Sequence, residues 1–194
     1  MATIIPPSAS FEHSLRDHFL IALPGISDQR FAQSVTYICE HGAEGAMGFV
    51  INRSLDLSLG DVFEQMDLAY TEATGAGAVL AGGPVGTQRG FVLHSGGAGW
   101  QSSVLVGDDL YLTASRDIVT ALAAGTGPKR MQFMLGYAGW GPGQLEEELL
   151  QNSWLTVPAD PHILFDTPVE QRWQATARSI GVDIHLVSSQ AGHA

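Results

Sequence analysis

The fold is decided at Gly136-Tyr137-Ala138-Gly139-Trp140-Gly141-Pro142-Gly143-Gln144-Leu145-Glu146-Glu147-Glu148, where a buried strand is predicted to end in a glycine turn and a helix to begin. Gly141 is the expected N-cap, and Pro142 the first helical residue, where its missing N–H leaves no bond unmade. Gln144 is expected to accept from the cap N–H, and Trp140 to pack on Leu145 as a hydrophobic staple. The three glutamates suit the positive end of the helix dipole and oppose an incoming anion, which disfavours phosphate binding here.

Length and charge limit the possible classes of protein. The chain has 194 residues, 45% of them hydrophobic, which is enough for one core and predicts a single domain. The net charge is −11. The single lysine, Lys129, forms with Arg130 the only adjacent basic pair in the sequence. Because DNA affinity grows with the number of phosphates that Lys and Arg neutralise, direct nucleic-acid binding is disfavoured, and a basic or neutral partner is favoured.

The number of cysteines and the hydropathy of the chain indicate the cellular compartment. Cys39 is the only cysteine, so no intrachain disulfide can form, which fits a reducing cytoplasm. The N-terminus has no basic region followed by an apolar run, and no run of 18 apolar residues occurs. We therefore expect a cytoplasmic protein that does not contact the membrane.

Periodicity divides the chain into a flexible N-terminal tail (1–15), one domain (16–187) and a flexible C-terminal tail (188–194). Strands are expected at 19–23, 34–41, 46–53, 79–81, 91–94, 102–106, 110–113, 130–137, 154–157 and, as an edge strand, 182–187. Helices are expected from Ser58, from Ser115 to Ala124, after Gly141 and from 167 to 180. In the first of these helices, Leu59, Val62, Phe63 and Met66 form one apolar stripe. Hairpins dominate and helices interrupt irregularly, so an α+β domain with a mixed, mainly antiparallel sheet is favoured over a doubly wound one.

Signatures of known chemistry are weak. Cys39 and His41 would share a strand face, but about 6.8 Å separates residues two apart on a strand, too far for a nucleophile and its base. A packed thiol and a strand-end histidine are the simpler interpretation. The seven histidines are scattered without metal-binding spacing, so we expect no metal and no cofactor. Gly82-Gly83-Pro84-Val85-Gly86 lacks the lysine and hydroxyl of a phosphate loop and is interpreted as a structural turn.

A few polar residues beside strand ends are candidates for binding. Asn52-Arg53 and Arg89 could grip a carboxylate or phosphate, since arginine binds both in a bidentate way. The alternative is an ion pair or a cap within an acidic protein. His94 could titrate near neutrality, or serve as a buried structural histidine.

Taken together, these segments resemble the AlgH/YqgE family of bacterial proteins over residues 16–181, and the C-terminal end resembles the pseudomonad branch. The matching segments are Phe19-Leu20-Ile21-Ala22-Leu23-Pro24, Ser34-Val35-Thr36-Tyr37-Ile38-Cys39-Glu40-His41, Gly45-Ala46-Met47-Gly48-Phe49-Val50-Ile51-Asn52-Arg53, Gly82-Gly83-Pro84-Val85, Arg89-Gly90-Phe91-Val92-Leu93-His94, Gly136-Tyr137-Ala138-Gly139-Trp140, Gln144-Leu145-Glu146 and Trp154-Leu155. Ser54 and Leu23 stand where the family usually has proline and methionine.

The resemblance implies a strongly curved, branched sheet approaching a pseudo-barrel, flanked by helices. Most members are uncharacterised, one branch is named for a proposed role in transcription of alginate synthesis genes, and no catalytic residue carries over. Our candidate positions for ligand or partner binding are Glu40, His41, Asn52, Arg53, Arg89 and His94. Structural turns are expected at Gly82, Gly83, Pro84, Gly136, Tyr137, Gly139, Trp140 and Gly141.

Three functions follow as hypotheses. The first is a regulatory domain without enzymatic activity that affects transcription indirectly, through an unknown protein or small molecule. The second is a hydrolase-type enzyme whose site is drawn from Glu40, His41, Asn52, Arg53 and His94. The third is direct DNA binding through Lys129 and Arg130.

Overall fold

A computed structural model describes residues 14–183, in which ten strands form one sheet. The strands are β1 (His18–Ala22), β2 (Val35–Gly42), β3 (Gly45–Val50), β4 (Ser54–Ser58), β5 (Ala78–Ala81), β6 (Val85–Ser95), β7 (Val104–Gly107), β8 (Leu110–Thr113), β9 (Met131–Trp140) and β10 (Trp154–Pro158). The main path of paired strands runs β10-β1-β2-β3-β9-β6-β8-β7, and all of these pairs are antiparallel.

The sheet branches at β9. One edge of β9 pairs with β6, while its other edge pairs first with β5, in parallel, and then with β3. β5 in turn carries β4 as an antiparallel neighbour. The predicted mixed, mainly antiparallel sheet is therefore confirmed, and the branch comes from the length of β9, which is ten residues.

The sheet curls so that β7, at one end, lies beside β2 and the residues before β1. Arg16, just before β1, donates from Nε to the Val106 carbonyl of β7 over 3.0 Å, and its Nη2 donates to the Leu105 carbonyl. The Tyr37 hydroxyl of β2 donates to Asp17 Oδ1 over 3.0 Å in the same region. The Arg16 bonds join β7 to the segment before β1 and so close a curled half-barrel.

The two glycine motifs meet at the branch. A Cβ on Gly82 would lie 2.3 Å from the Gly136 carbonyl oxygen, and one on Gly83 would lie 2.2 Å from the Tyr137 carbonyl carbon. Only glycine allows two backbones to approach this closely. Gly82 and Gly83 lie in the connection between β5 and β6.

The turn predicted over the second motif was wrong for four of its residues. Gly136, Tyr137, Gly139 and Trp140 belong to β9, because the strand continues to pair with β3 up to Trp140. The chain turns only at Gly141, where the Gln144 N–H donates to the Gly141 carbonyl over 3.1 Å.

The helix after this turn begins later than predicted. It is α4 (Gln144–Leu150), with Gly143 rather than Gly141 as the N-cap. Pro142 and Gly143, with φ 75° at Gly143, suit the second and third positions of a type II turn, so these two residues belong to the turn. The expected side-chain bond does form: Gln144 Oε1 accepts from the Gly141 N–H over 3.0 Å.

Helices cover both faces of the sheet. The others are α1 (Leu59–Gln65), α2 (Glu72–Gly75), α3 (Arg116–Ala123), α5 (Pro161–Phe165) and α6 (Arg172–Ser179), with short 3-10 turns at Gln29–Phe31 and Val169–Gln171. α5 and α6 pack on one face against β1, β2 and β9, while α1 and α3 cover the β5–β6–β9 region. The tails predicted at 1–15 and 188–194, and residues 184–187 of the predicted edge strand, lie wholly or mostly outside the described residues.

Candidate functional site

His41 lies at the end of β2 and is held by two neighbours. Its Nδ1 accepts from the Leu15 N–H over 2.9 Å, so its Nε2 carries the proton and donates to Glu146 Oε1 over 2.9 Å. The imidazole therefore joins the segment before β1 to α4. Adjacent Glu40 is exposed, and both residues line an open groove of about 350 Å³ beside Val104 and Leu105 of β7.

Asn52 and Arg53 hold the loop between β1 and β2. Asn52 Oδ1 accepts from the Val35 N–H over 2.8 Å, and its Nδ2 donates to the Gln33 carbonyl over 2.9 Å. Arg53 donates from Nη2 to the Ala32 carbonyl over 2.7 Å and from Nη1 to the Arg30 carbonyl. Both side chains are thus bonded to backbone groups.

Arg89 lies on an exposed part of β6 that bulges away from β9. Its guanidinium carbon is 5.3 Å from the centre of the Phe91 ring, a cation–π contact. Within residues 14–183 it makes no ion pair.

His94 is fully buried on β6. Its Nε2 is 2.8 Å from Thr113 Oγ1, which is itself 2.7 Å from Ser103 Oγ, and its ring stacks on Tyr111. Its Nδ1 has no hydrogen-bond partner among the described residues. Burial lowers the pKa of His94, so the neutral imidazole is favoured.

The six candidate residues are thus not brought together in one cleft. Glu40 and His41, Asn52 and Arg53, Arg89, and His94 each contact separate neighbours, and Glu40 and His41 line a common groove. Cys39 is buried, its Sγ donates to the Met47 carbonyl over 3.2 Å, and burial raises its pKa to about 12. Such a thiol is a poor nucleophile, since the thiolate is the reactive form.

A pocket that none of these residues lines lies between α1 and α3, over β6 and β9. Its volume is about 270 Å³. Most of its wall is apolar, with a few polar groups at the rim, and the lining residues are Leu57, Asp61, Val62, Gln65, Met66, Gln88, Gly90, Ala114, Ser115, Arg116, Val119, Phe133 and Leu135. We call this the α1–α3 pocket.

The floor of the α1–α3 pocket depends on a glycine. A Cβ on Gly90 would lie 2.8 Å from the tip of the Phe133 ring, so a larger residue there would displace the ring. Val119 and Phe133 form the buried part of the wall, with 7% and 2% exposure, whereas Leu57 is 37% exposed. The pocket is therefore a gap in the covering of the sheet by α1 and α3.

The two charged side chains at the rim differ in how many hydrogen-bonding positions they leave for a ligand. Asp61 accepts from the Ser58 N–H and hydroxyl, both over 2.7 Å, and these bonds lower its pKa. Arg116 donates one N–H to the Met66 carbonyl over 2.7 Å, which leaves other guanidinium donors for a ligand. Asp61 is therefore committed to capping α1, and Arg116 is the charged group that retains donors for a ligand.

The described residues contain neither a metal-binding cluster nor a membrane-spanning helix. Among residues 14–183, no three His, Cys, Asp or Glu side chains lie close enough together to hold a metal ion. No helix in the described part of the chain has the length and apolar character needed to cross a bilayer.

Comparison with known proteins gives the family. The profile described as AlgH-like matches residues 19–185. The chain belongs to this AlgH-like family. A UPF0301 protein of Saccharophagus degradans is 58% identical over 97% of this chain and 93% of its own length, and one of Thioalkalivibrio sulfidiphilus is 53% identical over 92% and 96%.

Two solved structures share the fold of this chain. The solution structure of AlgH from Pseudomonas aeruginosa is 48% identical, with a TM-score of 0.78 over 100% of both chains. The crystal structure of DIP2367 from Corynebacterium diphtheriae shares the fold, with a TM-score of 0.69 at 21% identity over 92% of this chain and 93% of its own.

Sequence reasoning missed the α1–α3 pocket in this AlgH-like chain. The apolar stripe of α1 was the one available signal, and two of its members, Val62 and Met66, are only partly buried and line the pocket. A periodic stripe predicts burial but does not tell whether the covering is complete.

Proposed function

We propose that this AlgH-like chain is a regulatory binding domain of the cytoplasm that has no enzymatic activity and takes a small ligand in the α1–α3 pocket. The observation that carries the proposal is the pocket's composition, an apolar interior with a few polar groups at the rim, which is the usual composition of small-molecule sites. At about 270 Å³ the pocket is slightly smaller than the usual range of such sites, which begins at about 300 Å³, so the ligand must be compact.

The rim chemistry favours binding over catalysis. Asp61 is occupied by Ser58, and the Ser115 hydroxyl donates to Asp117, so neither is poised as a base or nucleophile. Arg116 can grip an acidic group, while Gln65 and Gln88 supply amide donors and acceptors. A fitting ligand has a compact apolar body and a carboxylate or similar head.

Any effect on transcription is proposed to be indirect, through a partner that responds to the ligand. The net charge of −11 supports this, because a duplex and an acidic surface repel each other. Arg130, half of the only adjacent basic pair, donates to Asp166 Oδ2 over 2.6 Å and so has its charge balanced.

A fluorescent probe tests the site directly. 8-Anilinonaphthalene-1-sulfonate has an apolar body and an anionic head, and we expect one saturable site per chain. Ala114→Trp, at the exposed rim, should fill the pocket and weaken binding at least tenfold. Ala124→Trp, exposed at the far end of α3 and outside the pocket lining, is the matched control. Equal affinity in the two variants would exclude this site.

A further inference from the structure

A second pocket, which shares no lining residue with the α1–α3 pocket, lies where α4 meets the loop after β1. Its volume is about 190 Å³, and Phe31, Trp140, Trp154, Gln144 and Glu148 form much of its wall. We call it the Glu148 cleft. The three aromatic rings contact one another, with centroids 5.6 to 6.2 Å apart.

Within residues 14–183, the hydrogen bonds to Glu148 come from neutral donors. Its Oε2 accepts the indole N–H of Trp140 over 3.0 Å and that of Trp154 over 2.8 Å, and its Oε1 accepts from Gln144 Nε2 over 3.0 Å. A carboxylate offers about four acceptor positions, so one is left open. Two indoles and an amide fix the carboxylate in place, but they do not neutralise it.

The charge of Glu148 is unbalanced within the described residues. No Lys, Arg or His of residues 14–183 forms an ion pair with it. The nearby cation that lines the cleft, Arg30, is held by Asp28 through three bonds of 2.7 to 3.1 Å. Asp28, Arg30 and Glu148 together therefore leave one negative charge in the cleft.

A half-buried carboxylate without a cation favours a ligand that supplies one, because a partly desolvated charge is stabilised by an opposite charge nearby. Aromatic walls add to the attraction, since the faces of Trp and Phe rings bind ammonium groups. An anion would be repelled by Glu148, and a purely apolar group would bury the carboxylate without compensation.

From this arrangement we propose that the Glu148 cleft binds an alkylammonium group, which donates to the open position on Glu148 and lies against the aromatic rings. The group can come from a free amine or from a lysine side chain of a basic partner. Its chemistry agrees with the acidic charge of the chain. The proposal does not depend on the α1–α3 pocket.

Indole resonances provide the readout. In ¹⁵N-labelled protein, the Nε1–H signals of Trp140 and Trp154 report on the bonds to Glu148. We titrate with Nα-acetyl-lysine methylamide and with its neutral isostere Nα-acetyl-norleucine methylamide. We expect saturable shifts with the lysine compound, with a dissociation constant on the order of 1 mM, and at least tenfold weaker binding of the norleucine compound. Equal shifts from both compounds in the wild-type protein would by themselves overturn the proposal, without any variant.

Substitutions test how much of the binding depends on the Glu148 carboxylate and how much on the rest of the cleft. Glu148→Gln keeps an oxygen for the indoles and removes the charge, and should weaken lysine binding at least tenfold. Glu147→Gln, one residue away on the exposed side of α4, should bind as the wild type does. If Glu148→Gln does not fold, Phe31→Leu provides the second test, with a several-fold loss expected. Unchanged affinity in the folded variant contradicts the site.

A third arm identifies the source of the ammonium group. n-Butylamine is titrated beside the lysine compound. Equal affinity indicates a free amine as the ligand, and tighter binding of the lysine compound indicates a peptide partner. Absence of saturable shifts from both would overturn the proposal.

Discussion

A Cβ on Gly136 would lie 2.4 Å from the carbonyl oxygen of Gly83. Two motifs that are more than fifty residues apart in the sequence therefore share one backbone crossing, at the point where β9 leaves β5 and joins β3. Gly136 also has φ 73°, a conformation that disfavours any side chain. The branched sheet depends on this crossing.

We predict that Gly136→Ala lowers the free energy of unfolding by about 2–4 kcal/mol, because strain from the left-handed backbone adds to overlap with Gly83. Gly42→Ala is the control, since a Cβ there meets no atom within 4 Å and its φ is not in the positive region. Urea denaturation measures both. Similar midpoints for the two variants would show that the crossing can relax without loss.

Stability should depend on pH through His94. Burial lowers the pKa of its imidazole in the folded chain, whereas the unfolded chain binds the proton with a pKa of about 6.5. The unfolded state then holds more protons below about pH 6.5, so stability falls with decreasing pH, by at most about 1.4 kcal/mol per pH unit, until the folded-state pKa is passed.

His94→Gln should remove this part of the pH dependence, whereas His162→Gln, whose side chain is 71% exposed, should keep it. Urea denaturation between about pH 5 and pH 8 gives the comparison. The same slope in His94→Gln as in the wild type would mean that other groups cause the acid sensitivity.

Arg172 should be important for stability. Its buried guanidinium donates to the Thr167 carbonyl over 3.0 Å and to the Ile51 carbonyl over 2.7 Å, and burial lowers its pKa to about 10, so it stays charged at neutral pH. Arg172→Ala leaves these carbonyls without a donor and opens a cavity. We therefore expect the free energy of unfolding to fall by about 3 kcal/mol.

Arg178→Ala provides the control on the same helix, because Arg178 is exposed. This substitution should change the free energy of unfolding by no more than about 0.5 kcal/mol. A loss in Arg172→Ala no greater than in this control would mean that water replaces the guanidinium at little cost.

Direct DNA binding should be absent near physiological salt. Fluorescence anisotropy of a labelled duplex is expected to show no saturable binding at about 150 mM salt. The opposite finding, tight binding that weakens steeply with salt and disappears in the Lys129→Ala, Arg130→Ala double variant, would reinstate the DNA hypothesis.

Local elements were predictable from the sequence, and non-local ones were not. The β2–β3 hairpin and the apolar stripe of α1 depend on residues close in the chain, so alternation and spacing revealed them. The parallel pairing of β5 with β9 joins segments about 55 residues apart, and no periodicity encodes such a pairing. The length of β9 was misjudged because its glycines indicate a turn unless the crossing strand is known.

The candidate site was the least predictable part. Asn52 and Arg53 looked available for a ligand because their partners, backbone groups of the β1–β2 loop, cannot be identified from the sequence. The α1–α3 pocket is assembled from four segments, and each contributes residues that look ordinary alone. The pocket exists because α1 and α3 cover the sheet incompletely. Such a gap depends on how the elements pack together and not on the sequence pattern of any one of them.

We propose above all that the chain binds a small molecule in the α1–α3 pocket and releases it unchanged. The most direct measurement incubates the protein with a metabolite extract of its native cells, separates the complex, and identifies retained compounds by mass spectrometry, with Ala114→Trp and Ala124→Trp in parallel. We predict a compound with an apolar body and an acidic head that is retained by the wild type and Ala124→Trp, lost from Ala114→Trp, and recovered intact. Retention that Ala114→Trp does not affect, or recovery of a converted product, would contradict the account.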